Sequence, residues 1–284
     1  MPPSSSSFTP LNIPNDVVPE WMGSFTLAAP PNTDLWRKPP SRDTSTAPIL
    51  YTALRNPFIA AEVTVSADWE LEWDQGGLVI FAGAPPGQIT AVAPALDPPS
   101  VVTLTLDDES DSASPSPSIS APSSTNTTPV HTPAPDLPVQ QQPSHRGPPP
   151  PYEHPVPAAK WVKVGLEFCN NACHATSVVA NSDGADWSLS ALPPHHARRL
   201  DLRVKIERIG YALWVWYEDE VLGWKKLREV TWFFWGVEDK AVRVGVYASR
   251  PANFGMSVFD RRNGGGSSAG ARNLCVDFEG LEIF

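Results

Sequence analysis

The middle of this chain lacks large aromatic side chains. Residues 83–158 contain neither Trp nor Phe, yet they hold 19 of the 33 prolines and are otherwise rich in Ser, Thr and Gln. Such a composition buries too little apolar surface to offset the entropy lost on folding. We therefore predict a disordered insert at 83–158 and a disordered tail at 1–19. All 11 Trp lie outside the insert, so we expect 20–82 and 159–284 to form one domain.

Other absences exclude whole classes of function. No run of about 18 apolar residues exists, so no membrane-spanning helix is expected. The N-terminal sequence lacks the basic and apolar regions of a signal peptide, which favours a cytoplasmic protein. The net charge is −10 and no basic stripe stands out, which argues against a nucleic-acid partner. Three cysteines, an odd number, do not suggest a disulfide framework.

The remaining sequence alternates with a period of two and contains no convincing helix. Short β-branched and aromatic segments bounded by Gly, Pro, Asn or Asp are typical of strands. Many short strands separated by turns predict an all-β, two-sheet antiparallel β-sandwich. The predicted strands are 58–65, 69–73, 78–81, 161–168, 176–180, 202–209, 212–217, 242–248 and 274–278, with 101–106 as a further candidate inside the insert.

One predicted strand carries the clearest indication of function. In residues 161–168, Val and Leu side chains alternate with Trp161, Lys163 and Glu167. The apolar side suits a core, and the other side places a ring, a cation and a carboxylate in one row. Such a row suits a polar ligand, because sugars pack on rings while charged groups bind their hydroxyls.

A second row strengthens this hypothesis. Trp214, Trp216 and Glu218 share one face of the strand at 212–217. We expect Trp214 or Trp216 to stack on a sugar, with Glu167 and Lys163 binding hydroxyl groups. The alternative is that these rings form cross-strand pairs that only stabilise the sheet.

The sequence also resembles a known family in several short motifs. They are Thr33-Asp34-Leu35-Trp36-Arg37-Lys38, Asp74-Gln75-Gly76-Gly77-Leu78, Lys163-Val164-Gly165-Leu166-Glu167, Ser177-Val178-Val179, Asp186-Trp187-Ser188, Arg228 after Trp224, and the segment 244–251. The family is the domain of unknown function that includes the fungal regulation-of-enolase protein. The resemblance implies a concanavalin A-like lectin/glucanase jelly roll but hardly any chemistry, since a fold does not fix a function. Because no complete catalytic signature is present, we expect a non-catalytic binding or regulatory module whose ligand is a carbohydrate or a partner protein. Its motif positions Asp74, Gln75, Asp186, Trp187 and Arg228 join the candidate ligand contacts.

Catalytic and metal signatures are weak. Glu70, Glu72 and Asp74 are spaced by two on one predicted strand, but they miss the Glu-x-Asp-x-x-Glu spacing of glucanases of this fold. We interpret them as solvated carboxylates and predict no enzyme activity, with a glycan-active hydrolase as the alternative. Cys169 and Cys173 are followed by a His but lack a second ligand pair, so no metal and no cofactor are predicted.

The insert contains one partner motif. Pro149, Pro150, Pro151 and Tyr152 include Pro-Pro-x-Tyr, which WW domains bind. Consecutive prolines preset a polyproline II helix, so docking loses little conformational entropy. Proline-rich sequence also produces such matches by chance. A protein-interaction adaptor that acts through the insert is therefore a further alternative.

Overall fold

The computed structural model describes residues 4, 7–14, 17–40, 42–87, 159–196, 199–252 and 272–284. These residues form 15 β-strands. The strands are β1 (Phe8–Leu11), β2 (Ser24–Ala29), β3 (Leu35–Lys38), β4 (Arg42–Ser45), β5 (Ile49–Ala53), β6 (Ala60–Ala67), β7 (Gln75–Ala82), β8 (Lys160–Cys169), β9 (Ala172–Ala180), β10 (Ala185–Ala191), β11 (Asp201–Ile209), β12 (Ala212–Asp219), β13 (Gly223–Val230), β14 (Val242–Ser249) and β15 (Leu274–Ile283).

The strands assemble into two large sheets and a hairpin. The first sheet has the order β1-β5-β14-β7-β8-β9-β10, and the second has the order β13-β12-β11-β6-β15-β2. Strands β3 and β4 pair with each other as a separate hairpin. Neighbouring strands in both sheets run antiparallel, as β7 with β8 and β11 with β12 do. The predicted two-sheet antiparallel sandwich is confirmed.

The main core lies between the two sheets. Alternate residues of β8, such as Val164 and Leu166, point into it together with Val63 and Val65 of β6. Each of these four side chains is fully buried. The predicted register of β8 is therefore confirmed, and each of these branched side chains contributes about 1.5–3 kcal/mol through burial.

A second apolar cluster covers part of the opposite face of the first sheet. Leu35 of β3 packs there against Val79 and Phe81 of β7, Trp161 of β8 and Tyr247 of β14. The first sheet is thus covered on both faces at this point. All eight residues of β7 are buried, which explains why its sequence reads as a continuous apolar run rather than an alternation.

Two turns, one before β7 and one between β8 and β9, are built by residues with positive φ. The predicted strand at 69–73 is wrong, because these residues form a turn in which Trp73 has a φ of 69°. The segment Cys169-Asn170-Asn171-Ala172-Cys173 contains a tight hairpin in which Cys169 pairs with Ala172. Asn170 and Asn171 both have positive φ (52° and 61°), as a two-residue type I′ hairpin requires.

The two parts of the sequence that flank the insert contribute to one sheet. Strand β7, which precedes the insert, pairs with β8, which follows it, from Gln75↔Glu167 to Ala82↔Lys160. Residues 83–87 of the predicted insert are described, and Gly83 N–H donates to the Ala241 carbonyl. Likewise, residues 8–11 of the predicted disordered tail form β1 and pair with β5. The rest of the insert and the candidate strand at 101–106 lie outside the described residues. Within the described part of the chain, no helix is long and apolar enough to cross a membrane.

Candidate functional site

The outer face of the first sheet, which points away from the second sheet, carries the candidate site. A cavity of about 410 Å³ opens there beside the β3–β4 hairpin. We call it the outer-face pocket. Its volume lies within the range of small-molecule sites, about 300–1,000 Å³. The lining residues are Asp34, Trp36, Lys38, Trp73, Gln75, Lys163, Glu167, Val178, Trp187 and Pro251.

Two glycines keep the sheet surface bare between the charged residues of this pocket. Gly77 of β7 faces Gly165 of β8. A Cβ atom on Gly165 would lie 1.8 Å from the carbonyl oxygen of Gly76, so no larger residue fits without moving the neighbouring strand. Lys163 and Glu167 flank Gly165 two residues away on either side and therefore share its outer face. The Lys163 and Glu167 side chains are therefore separated by the bare backbone of Gly165, with no side chain between them.

Glu167 is the buried carboxylate of the pocket, with 1% of its surface exposed. Its Oε2 atom accepts hydrogen bonds from the Thr176 hydroxyl at 2.7 Å and the Trp187 indole N–H at 3.1 Å. Burial raises the pKa of Glu167, while Thr176, Lys163 and Trp187 act in the opposite direction. Glu167 is thus a fixed acceptor at the base of the pocket.

Lys163 provides the balancing positive charge. Its Nζ atom lies 3.0 Å from Oδ1 of Asp34 and 5.5 Å from the ring centroid of Tyr247. The Tyr247 hydroxyl donates to Oε1 of Gln75 at 3.3 Å. Burial, with Glu167 and Asp34 nearby, raises the pKa of Tyr247 well above its ordinary value. Cation, phenol and amide therefore form one polar row along the sheet.

Three tryptophans surround this polar row. Trp73 and Trp187 are 47% and 41% exposed, and Trp36 of the hairpin is half-buried against the second apolar cluster. The exposed rings come from different elements: Trp73 from the turn before β7, and Trp187 from β10. The pocket thus offers apolar ring surfaces above a base of charged and amide groups.

Asp74 fixes the turn that carries Trp73, and it does not contact the open pocket. Its side chain is completely buried and accepts hydrogen bonds from Arg250 Nε at 2.9 Å and Arg250 Nη2 at 2.7 Å. It also accepts from the backbone N–H groups of Glu70 and Leu71. The proposed ligand role of Asp74 is therefore corrected, because it fixes the turn that carries Trp73.

Trp161 requires a similar correction. It occupies the predicted outer face, but it is 0% exposed in the second apolar cluster. The β3–β4 hairpin contributes Leu35 to that cluster, so the ring cannot stack on a ligand. Sequence alternation located its face correctly but could not show that another segment covers it.

Trp214, Trp216 and Glu218 lie on β12 of the second sheet, away from the outer-face pocket. Strand order therefore contradicts the hypothesis that both rows form one surface. The rings of Trp214 and Trp216 stack with centroids 5.8 Å apart. Lys226 Nζ lies 4.2 Å from the Trp214 centroid, and Lys205 Nζ lies 5.4 Å from that of Trp216. These cation–π contacts favour the cross-strand interpretation, in which the rings stabilise the sheet.

Asp186 and Arg228 form an ion pair in a different groove. Arg228 Nη1 lies 3.0 Å from Asp186 Oδ2, and the Asp186 side chain is 78% exposed. Both line a cavity of about 820 Å³ beside β10 and β13, outside the outer-face pocket. Of the five motif positions added to the candidate contacts, Gln75 and Trp187 line the outer-face pocket, together with Lys163 and Glu167.

The carboxylates at 70–74 and the Cys169 thiol have internal partners. Glu72 accepts from the Cys169 thiol at 3.0 Å and from the Asn170 N–H. Glu70 lies 3.6 Å from Arg250. These acids sit in a turn, so the predicted shared strand face is wrong. None of the three cysteines forms a disulfide bond. The Pro-Pro-x-Tyr motif at 149–152 lies outside the described residues.

Sequence reasoning missed several pocket residues. Asp34 and Trp36 come from the first family motif but were not proposed as ligand contacts. Trp73 was assigned to a strand, and Pro251 ends the last motif. The resemblance itself was the available signal, because each of these residues lies in or next to a motif that it named. Lys38 and Val178, which also line the pocket, belong to those motifs too.

Comparison with known proteins finds similar sequences and similar folds. The chain is 28% identical over 234 residues to an uncharacterized protein of Emericella nidulans, which covers 81% of this chain and 79% of that protein. Its fold is similar to a functionally unknown protein from Saccharomyces cerevisiae, with a TM-score of 0.54, 16% identity and coverage of 99% and 98% of the two chains. A GH43 protein from Bacillus licheniformis gives a TM-score of 0.46 at 12% identity, with 99% and 35% covered.

The family match covers most of the folded sequence. Residues 11–88 and 155–262 match the family described as protein of unknown function, DUF1349. These two segments flank the insert and together exceed half of the chain. The protein is therefore a member of the DUF1349 family.

Proposed function

We propose that this protein is a non-catalytic binding module whose outer-face pocket takes a carbohydrate. The observation that carries the proposal is the combination of exposed rings with buried, oriented polar groups in one cavity of about 410 Å³. Sugars need both features, because their C–H faces pack on aromatic rings and their hydroxyls need donors and acceptors.

The polar groups supply both kinds of hydrogen-bond partner. Lys163 offers an ammonium donor, Gln75 offers an amide, and Glu167 and Asp34 offer carboxylate oxygens. Positive and negative charges are balanced within the pocket by the Lys163–Asp34 pair. That balance favours a neutral polyhydroxylated ligand over a strongly charged one.

Internal hydrogen bonds support a binding role over a catalytic one. Oε2 of Glu167 accepts from Thr176 and Trp187. Oδ1 of Asp34 accepts from Lys163 Nζ at 3.0 Å and from the Leu35 N–H at 2.7 Å. A glycosidase needs one free acid and one free nucleophile or base. Here the protein fixes one oxygen of each carboxylate, which leaves the other oxygen as an oriented acceptor for a ligand hydroxyl.

A glycan hydrolase is the second candidate, and one observation favours it. Two carboxyl groups, Glu167 and Asp34, line the same pocket, and burial raises the pKa of Glu167. A general acid in a glycosidase has such a raised pKa. Hydrolysis of a bound glycan, lost in Glu167→Gln, would establish this candidate in place of the binding module.

The test is a glycan array followed by calorimetric titration of the best ligands. We expect affinities from about millimolar to about micromolar, because an open pocket buries only part of a sugar. Trp187→Ala should weaken binding at least tenfold, since it removes a ring and a donor to Glu167. Trp216→Ala is the matched control, because it deletes the same kind of side chain from the other sheet.

Two results would contradict the proposal. The first is no binding to any glycan at millimolar ligand. The second is binding that Trp216→Ala weakens and Trp187→Ala does not. The first result would favour the protein-partner alternatives, which are regulation of an enzyme such as enolase and binding of a WW domain to the insert motif. The second would place the glycan site on the second sheet, which carries Trp216.

A further inference from the structure

A cluster of metal-ligating side chains lies where two connecting loops meet. His195 and His196 belong to the loop between β10 and β11, and Asp219 ends β12 at the turn into β13. One potential ligand atom from each residue lies within 4.8 Å of the other two. None of the three lines the outer-face pocket, so this cluster is independent of the proposed function.

Two buried polar atoms in the cluster have no hydrogen-bond partner. They are Nδ1 of His196 and Oδ2 of Asp219, in residues that are only 2% and 0% exposed. Buried nitrogen and oxygen atoms are almost always satisfied, and an unsatisfied one calls for an explanation such as a bound water or ion. A cation bound by both residues, whose potential ligand atoms lie within 4.8 Å of each other, would satisfy both atoms.

The other carboxylate oxygen is firmly held. Oδ1 of Asp219 accepts hydrogen bonds from the N–H groups of Val221 at 2.8 Å and Leu222 at 2.9 Å. These bonds orient the carboxylate, as outer-shell partners do at metal sites. Its free Oδ2 atom is left for a ligand.

The spacing of the cluster is close to that of a tetrahedral metal shell. Metal–nitrogen and metal–oxygen bonds of about 2.0–2.1 Å place neighbouring ligand atoms about 3.3 Å apart. His195 Nε2 lies 3.2 Å from Oδ1 of the Asp219 carboxylate whose Oδ2 is free, so a metal ion bound to Oδ2 and to this imidazole replaces the His195–Oδ1 contact. The two ligand atoms that lie farthest apart, at most 4.8 Å, have to approach each other by at most about 1.5 Å. The His196 ring can move, because its only hydrogen bond among the described residues is a long one, 3.4 Å from the Glu220 N–H.

The charged side chain nearest the cluster does not oppose a bound cation. The guanidinium of Arg199 is engaged by Asp201 and Glu220, so its charge is compensated. Two imidazoles and one carboxylate form a donor set suited to zinc and similar borderline ions.

We propose that His195, His196 and Asp219 bind a divalent transition-metal ion of the zinc class through three protein ligands. The His195 side chain is 40% exposed, so the fourth coordination position is open to solvent. The bound ion ties the β10–β11 loop to the β12–β13 turn.

The experiment uses the full chain, stripped of metal with a chelator and titrated with Zn²⁺ in competition with a chromophoric chelator. We expect one site with a Kd of roughly micromolar or tighter. His195→Ala removes an accessible ligand with little effect on folding and should weaken this site at least tenfold. Asp219→Asn should do the same. His174→Ala, a half-buried histidine on β9 outside the cluster, is the matched control and should leave the site unchanged.

Histidines of the insert provide the second control. A variant with His131, His145 and His154 replaced by Ala should retain the tight site. Co²⁺ loaded into the wild type should show the visible d–d absorption of a tetrahedral site, and His195→Ala should lack it. Absence of a tight site, or a tight site that survives His195→Ala, would overturn the proposal. Loss of the site in the insert variant alone would overturn it as well.

Discussion

Replacing Asp74 by asparagine should destabilise the sandwich by about 3 kcal/mol or more, because removing one partner of a buried ion pair costs about 3–5 kcal/mol. The Arg250 side chain is 1% exposed and lies 2.7 Å from the Asp74 carboxylate. Asparagine keeps one acceptor oxygen and places an amide N–H₂ against a donor. Glu70, 3.6 Å from Arg250 and 44% exposed, compensates only part of this loss, which places the expected value at the lower end of the range.

The assay is urea denaturation, with Asp186→Asn as the matched control. Asp186 also pairs with an arginine, but its side chain is 78% exposed, so its replacement should cost less than about 1 kcal/mol. In a double-mutant cycle, Asp74→Asn and Arg250→Met should couple by about 2 kcal/mol. A cost for Asp74→Asn no larger than that of Asp186→Asn would refute the reasoning, because the buried pair would then not stabilise the turn.

Three further outcomes are expected. Burial raises the pKa of Glu167 above its ordinary value of 4.5. The wild type should therefore lose stability relative to Glu167→Gln as pH rises above that value. Thermal melts of the two proteins at several pH values measure this, and a difference in melting temperature that does not change with pH would contradict it. Iodoacetamide at neutral pH should label Cys275 first, because this cysteine is exposed. The hydrogen bond to Glu72 raises the pKa of Cys169 to about 11, and burial raises the pKa of Cys173 to about 11. Mass spectrometry reads the order of labelling, and earlier labelling of Cys169 or Cys173 would contradict it. Val164→Asp buries an unpaired carboxylate and should make the domain insoluble, so a soluble variant with native circular dichroism would contradict the core assignment.

The sequence was most informative where one face of a strand is solvated or polar. Strand β8 alternates between Val164 and Leu166 on one side and Lys163 and Glu167 on the other, and the structure has this register. Period-two patterning reports such a strand directly. Strands β1, β3 and β4 have only four residues each, and the pattern did not predict them. It also missed β2, although burial alternates along its six residues.

The segment at 69–73 shows why alternation alone can mislead. Glu70 and Glu72 alternate with apolar residues and imitate a strand, but their backbone turns because Asp74 accepts the N–H groups of Glu70 and Leu71. Local side-chain bonds of this type compete with sheet pairing.

Strand order limited the prediction of the site. Sequence patterns placed the Trp214 row and the Lys163 row each on a polar face, but only tertiary pairing separates them onto different sheets. Burial of Trp161 likewise depends on a hairpin about 120 residues away in sequence, a long-range contact that no local pattern encodes. The Lys163–Glu167 half of the pocket was predicted, and the half built by Asp34 and Trp36 was not.

The central claim, that the outer-face pocket is the ligand site, is tested most directly by the indole N–H signals in a ¹⁵N–¹H spectrum. Each of the 11 tryptophans contributes one such signal, and single Trp→Phe variants assign them. On titration with the best glycan, we predict that the signals of Trp187, Trp73 and Trp36 shift while those of Trp214 and Trp216 stay in place. Shifts confined to Trp214 and Trp216 would contradict the account, because the ligand would then occupy the other sheet.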